Sequence, residues 1–209
     1  MADPRRFRLR VRYRKAGRLA MLSHLEITHA LERIVRRSGL PFALSEGFSP
    51  HMKMAFGPAL PVGVGGEQEV FDVLLTSYVA PDRALGALVE AAAEGLAPIQ
   101  AAYVEPSAPA ASVAFSDSTY EVVLDSPLAG LRVPDEVTVT RKGKEKSLIT
   151  ADFLVGEPQL DGCGFTFALR ARETGSMRAD AFADACLAAS APAGTVLPRI
   201  VSFTRSALA

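Results

Sequence analysis

Residues 7–14 read Phe7-Arg8-Leu9-Arg10-Val11-Arg12-Tyr13-Arg14, an alternation of apolar and cationic side chains without a break. Side chains of a strand point to opposite faces with a period of two, so Phe7, Leu9, Val11 and Tyr13 form one greasy side. Arg6, Arg8, Arg10, Arg12 and Arg14 form the other. Five like charges in a row repel, and a guanidinium cannot escape by losing its proton. The row must therefore meet carboxylates of the protein or an anionic ligand, and arginine's planar fork suits phosphate.

Downstream of this strand, Ala16 and Gly17 read as a turn, and Ser23-His24-Leu25-Glu26 is a Ser-x-x-Glu capping box that opens a helix. The helix should run to Ser38 and stop at Gly39, with Ile27, Ala30, Leu31, Ile34 and Val35 on one face and Glu26, His29, Arg33, Arg36 and Arg37 on the other. A polar loop, residues 45–53 (SEGFSPHMK), follows. A short strand is expected at residues 54–60, a turn at residues 63–66 (GVGG), a strand at 68–76, a helix at 82–94 opened by Pro81 and ended by Gly95, and a strand at 99–104. Strand, helix, strand, strand, helix, strand is the order of the ferredoxin-like split unit.

Residues 106–118, rich in Pro, Ala and Ser, read as a linker. Beyond it come strands at 119–124 and 137–140, a turn at Lys142 and Gly143, a short apolar segment around Phe153, a strand at 165–172, a helix at 178–188 and a last strand at 199–207. The second half is a weaker copy of the first, with its first helix shortened or replaced by a hairpin. The fold class expected is α+β: two ferredoxin-like units in tandem, residues 1–105 and 119–209, the second degenerate.

Of the 209 residues, 49% are hydrophobic, enough for one large domain or two small ones with real cores. The 23 basic and 23 acidic residues balance overall but are unevenly spread. Residues 1–53 hold 12 Lys and Arg against 4 Asp and Glu, whereas residues 54–209 hold 11 against 19. Such asymmetry marks either a basic surface for a polyanion or two parts of one molecule that attract each other. Cys163 and Cys186 are far apart with no histidine at ligand spacing, which reads as two reduced thiols and no metal site. No apolar run reaches the ~20 residues of a membrane span and the charged N-terminus lacks a secretion signal's apolar core, so a cytoplasmic protein is expected.

In a ferredoxin-like unit the helices cover one face of the sheet, so the arginines would line the opposite, open face. Proteins that bind single-stranded RNA use that face, but with aromatic rings for stacking, and here Phe7 and Tyr13 point to the core side. The alternative is that Asp72, Glu67, Glu69 and carboxylates of the second half neutralise the row. His24, at the first helical position, can present its ring to an anion that also meets backbone amides, or simply pack at the edge of the core. In the 45–53 loop, Gly47 and Pro50 shape the turn, Phe48 offers a flat apolar surface, and Ser45, Ser49, His51 and Lys53 offer polar groups. No phosphate-cradling Gly-x-x-x-x-Gly-Lys, Gly-x-Ser-x-Gly, paired histidines or iron–sulfur cysteine cluster is present, and no catalytic residue can be named.

The words Tyr-Arg-Lys, Ser-His-Leu and Gly-Phe-Ser-Pro-His, in that order within residues 12–64, resemble a bacterial family of uncharacterised domains associated with radical S-adenosylmethionine proteins. The likeness continues more loosely to the ITADFL and PRIVSFTRSAL segments of the second half. It implies a radical enzyme acting in trans as partner and hints at RNA, and it supplies no reaction of the chain's own. Without a Cys-x-x-x-Cys-x-x-Cys the chain cannot hold the radical cluster, and no cofactor is expected. The paired ferredoxin-like architecture also resembles CRISPR repeat-processing endoribonucleases at the level of fold alone.

Three functions are thus open. The first is a non-catalytic module that binds RNA or another phosphorylated substrate for the radical enzyme, through Arg8, Arg10, Arg12, Arg14, His24, Ser49, His51 and Lys53. The second is a metal-independent endoribonuclease in which His24 or His51 moves a proton and Lys53 or an arginine stabilises the phosphorane. The third is a protein-interaction module for the radical enzyme. For the first two, the 45–53 loop is expected to fold back along the helix so that His24 and His51 share one pocket.

Overall fold

A computed structural model of the chain describes residues 7–105, 107–141, 144–173, 175–190 and 196–209. Arg6 and the turn expected at Lys142 and Gly143 lie outside the described residues. The chain divides into two compact units, Met1–Phe115 and Ser116–Ala209.

The first unit contains β1 (Phe7–Lys15), α1 (His24–Arg37), β2 (Met54–Phe56), β3 (Gly65–Leu75), α2 (Pro81–Ala91) and β4 (Leu96–Tyr103). Its strands lie in the order β4-β1-β3-β2, and each neighbouring pair is antiparallel. Alternation sets Leu9, Val11 and Tyr13 of β1 beside Phe71 and Val73 of β3, and these meet Ile27, Leu31, Ile34 and Val35 of α1 and Ala84 and Leu88 of α2 in one core. Removing a side chain from such a core, Leu31 to alanine for example, costs about 2–5 kcal/mol.

Local chemistry fixes the ends of α1. The Ser23 hydroxyl accepts a hydrogen bond from the Glu26 amide while the Glu26 carboxylate accepts one from the Ser23 amide, which completes the expected capping box. Gly39, at φ 70°, reverses the chain after the helix. The second helix stops at Ala91, three residues short of expectation, because residues 92–95 turn so that the Gly95 carbonyl accepts from the Ala16 amide at 2.9 Å. A Cβ on Gly95 would lie 2.7 Å from the Ala16 carbonyl oxygen, so glycine is required there. In the expected 63–66 turn, Gly63 turns the chain at φ 88°, but Gly65 and Gly66 already belong to β3.

The second unit contains β5 (Asp117–Leu124), β6 (Glu136–Arg141), β7 (Lys144–Ile149), β8 (Leu154–Asp161), β9 (Gly164–Arg170), α3 (Ala179–Ser190) and β10 (Ile200–Leu208). Four strands form a sheet in the order β10-β5-β9-β8, again antiparallel, and β6 and β7 pair as a separate hairpin. The core is aromatic: Phe167 stacks on Tyr120 at 5.3 Å between ring centres and meets Phe182 of α3 at 4.7 Å. Both units are thus mixed α+β. Among the described residues no helix is long and apolar enough to cross a membrane.

Candidate functional site

The arginine row faces away from α1 and α2, with Arg14 exposed and Arg8, Arg10 and Arg12 covered. Arg10 lies opposite Asp72 in the β1–β3 register and donates through Nε and Nη2 to its two carboxylate oxygens, at 2.7 and 3.0 Å. This pairing holds the Arg10 guanidinium above its ordinary pKa: the hydrogen bonds and charge of Asp72 outweigh the loss of solvation on burial. Arg14 meets Glu67 at 2.8 Å in an exposed ion pair of little energetic weight. Arg12 donates to the Gln68 side-chain oxygen at 3.2 Å.

The remaining cover comes from the stretch expected to link the halves. Arg8 Nη2 donates to the Glu105 and Ala108 carbonyls at 2.8 and 2.5 Å, and Arg10 Nη2 to the Pro109 carbonyl at 2.7 Å. The buried Ala111 amide donates to Asp72 Oδ2 at 2.9 Å, and the Phe115 ring lies 5.5 Å from the Arg10 guanidinium carbon and 5.6 Å from that of Arg12. Of the two readings of this face, the neutralised one holds for Asp72 on Arg10 and Glu67 on Arg14, while Arg8, Arg10 and Arg12 are in addition half-buried under residues 107–115. Arg8 Nε is buried with no hydrogen-bond partner among the described residues, a condition that costs about 1–3 kcal/mol.

Glu69 does not join this cover. It pairs with Tyr13 in the register and so shares Tyr13's side of the sheet, the core side. There, with side chains only 3% and 2% exposed as residues, Glu69 and Lys15 line a cavity of about 10 Å³ together with Tyr13, His24, Phe56, Pro58 and Leu60. Lys15, two residues after Tyr13, lies on this side by the alternation of β1 itself, and its ammonium donates to the Leu22 carbonyl at 3.1 Å, just ahead of α1. His24 is exposed at the first position of α1, with its ring edge-on to Phe56 at 6.2 Å between centres. Of the residues lining this cavity, His24 stands out from the sequence as a site residue. Lys15 does not, and Glu69 is expected on the arginine face, although the alternation within β3 already sends it to the side of Phe71 and Val73.

The 45–53 loop is built differently from the expectation. Residues 41–43 and 53–56 both pair along β3, and the loop is an excursion between them: Ala43 donates to the Leu74 carbonyl, Leu74 to that of Lys53, and Lys53 to that of Ala43. Leu44 and Met52 bridge at its base, the Ser45 amide donates to the His51 carbonyl, and the His51 amide donates to the Ser45 hydroxyl. The loop thus closes on itself. It is Phe56 of β2, rather than His51 or Lys53, that reaches His24, and the cavity lining includes neither loop residue. Ser49 and His51 are exposed, Lys53 is half-buried, and Phe48 stands fully exposed at the tip.

Anion binding at the start of α1 is weakened by its own cap. The Glu26 carboxylate, held below its ordinary pKa by the Ser23 hydroxyl and amide, already occupies that end with negative charge. Among the described residues no group of three or more His, Cys, Asp or Glu side chains has the arrangement to hold a metal ion.

A comparison with curated proteins finds no match. The model of a family described as an uncharacterized protein conserved in bacteria (DUF2344) matches residues 8–159, from the arginine strand through the paired words around His24 and the 45–53 loop to β8. With well over half of its length matched, the chain belongs to that family.

Proposed function

We propose that the chain is a non-catalytic accessory module that binds RNA or another phosphorylated substrate and works with a radical S-adenosylmethionine enzyme in trans. We also infer that its two units are ferredoxin-like. The β4-β1-β3-β2 and β10-β5-β9-β8 strand orders support this inference, with the β6–β7 hairpin standing where the second unit would carry its first helix.

The observation that carries the binding function is Phe48. An aromatic ring with its whole surface in water is held at the tip of a loop closed by the Ser45–His51 hydrogen bonds, beside exposed Ser49 and His51. Every base has a π-face, so an exposed ring flanked by hydrogen-bonding groups is a stacking platform for an unpaired nucleotide. The outer face of α1 adds exposed His29, Arg33 and Arg36. Fluorescence anisotropy with structured and single-stranded RNA at low and high salt tests this function. Binding that weakens steeply with salt is expected; no binding at low salt removes RNA from consideration. Nuclease-resistant co-purification with the radical enzyme would instead favour a protein-interaction module.

The endoribonuclease alternative draws on one observation of its own, the cavity that sets exposed His24 beside buried Lys15, Glu69 and Tyr13. Such a set could move a proton and stabilise charge on a phosphorane. Incubation with cellular RNA in chelator decides it: cleavage that is absent, or unchanged in a His24→Ala, His51→Ala double variant, ends this alternative.

A further inference from the structure

We propose that residues 107–115 are a strap closed over a second phosphate-binding surface, the Arg8–Arg12 face of β1, and that single-stranded RNA displaces the strap. The inference rests on the RNA-binding function proposed above and adds to it a site and its control.

Three features of the cover point this way. First, it is electrically neutral where it touches the arginines. Arg10 has Asp72, but among the described residues Arg8 is held by the carbonyls of Glu105 and Ala108, and Arg12 by the Gln68 amide oxygen and the Phe115 ring. Neutral acceptors and a π-face leave two positive charges uncancelled, and a phosphate offers each of them a charge-assisted bond in exchange. Second, the cover uses Arg8 incompletely. Both carbonyls lie on Nη2, while Nε is buried without a partner among the described residues. The edge carrying Nε and Nη2 is the one that matches two phosphate oxygens, so a phosphate satisfies a donor that the strap leaves idle. Third, among the described residues the polar and ring anchors of the strap are few, namely the carbonyls of Ala108 and Pro109, the Ala111 amide on Asp72 and the Phe115 ring, beside the small, fully buried Ala111 side chain. A strand of RNA brings phosphates for the guanidinium groups and bases that can replace the ring.

Exchange of the Ala111 amide reports the strap directly, because this amide is buried and hydrogen-bonded to Asp72 in the closed form. On saturating the full chain with a fluorescein-labelled single-stranded oligoribonucleotide, Ala111 exchange should accelerate. Phe115→Ala removes the ring over Arg10 and Arg12 and should tighten binding about tenfold, the scale of the two cation–π interactions that hold the closed form. In that background, Arg8→Gln with Arg12→Gln should reverse the gain and lower the salt slope by about 1.4, or ~0.7 for each guanidinium that no longer meets a phosphate.

RNA that binds while Ala111 stays protected and Phe115→Ala matches the wild type would overturn the strap and leave the Phe48 surface standing. RNA that binds neither protein would overturn both. Binding confined to Phe115→Ala would establish the strap as a lock that RNA alone does not open, against the displacement proposed here.

Discussion

Arg10 and Asp72 face each other across the β1–β3 register and share two hydrogen bonds, with the arginine side chain 16% exposed and the aspartate side chain 3%. Asp72 also accepts the Ala111 amide, so one carboxylate ties together two strands and residues 107–115. Asp72→Ala leaves a mostly buried guanidinium without its counter-charge and an amide without its acceptor. A loss of about 3 kcal/mol in urea unfolding is expected, the lower end for a broken buried pair because Arg10 retains some solvent. Arg10→Met combined with Asp72→Ala should lose less than Asp72→Ala alone; an equal or greater loss would mean that the charge pairing is not what Asp72 supplies.

Gly66 determines where Glu69 sits. A Cβ at this position would lie 2.5 Å from the Glu69 Cγ and one of its carboxylate oxygens, and Glu69, being buried, has little room to retreat. Gly66→Ala should therefore destabilise the chain by about 1–3 kcal/mol, the usual range for overpacking, and disturb the cavity at His24. Urea unfolding together with a shifted His24 ring resonance would show it. A variant as stable as the wild type, with an unmoved ring signal, would place Glu69 elsewhere.

The first strand and α1 were legible in the sequence because each carries an unbroken period, two for residues 7–14 and about 3.6 for 27–35, and because Ser23 and Glu26 mark the helix start. Of the cover of the arginine row, the carboxylates Asp72 and Glu67 were legible and the part supplied by residues 107–115 was not. Apart from the Phe115 ring, that part is made by carbonyls and one amide of a Pro-, Ala- and Ser-rich stretch, and backbone groups have no signature in composition. Lys15 was hidden for another reason: alternation sets it opposite Arg14 with the greasy residues, but a lysine reads as a surface residue, and the Leu22 carbonyl that receives its ammonium leaves no mark in composition. The path of the 45–53 loop depended on both its ends pairing along β3, a non-local arrangement that no local motif announces.

Phe48 should matter to binding and not to folding. Its ring is fully exposed, so Phe48→Ala is expected to change the unfolding free energy by less than ~0.5 kcal/mol. The same substitution should weaken single-stranded RNA binding by roughly 5- to 150-fold, corresponding to about 1–3 kcal/mol for one stacked base. Anisotropy titrations of the variant and the wild type at one salt concentration compare the two directly. Equal affinities would remove Phe48 as a stacking platform.

The two cysteines should differ sharply in reactivity. Cys186 lies fully buried on α3 and its thiol is pushed up to about 12 by loss of solvation, whereas Cys163 is exposed in the turn between β8 and β9. The thiolate is the reactive form, so a thiol-specific chromogenic reagent near pH 8 should modify one cysteine in the folded chain and both in denaturant. Cys163→Ser should abolish the native signal. Two equivalents reacting at one fast rate without denaturant would contradict the packing of α3.

Acid should reveal two aspartates of opposite sign in the second unit. Asp117 accepts two hydrogen bonds from Arg170 across the β5–β9 register, and these, with a further bond from the Ser116 hydroxyl, hold its carboxyl below the ordinary 3.8 against the opposing effect of burial. A carboxyl whose pKa is lower in the folded chain than in the unfolded one contributes stability that is fully present above the unfolded value. That contribution fades as pH falls through the folded value. Asp184 of α3 behaves in reverse: burial, and secondarily the charge of Asp180, raise its pKa, so its ionised form is disfavoured in the folded chain. Asp117→Asn should therefore destabilise the chain near neutral pH, with the difference from wild type shrinking as the solution is acidified from ~5 to ~3. Asp184→Asn should stabilise it near neutral pH, and that gain too should vanish in acid, where the wild-type carboxyl takes up its proton. Urea midpoints for the three proteins across this range measure both trends. Parallel curves for all three would show that neither carboxylate couples its titration to folding.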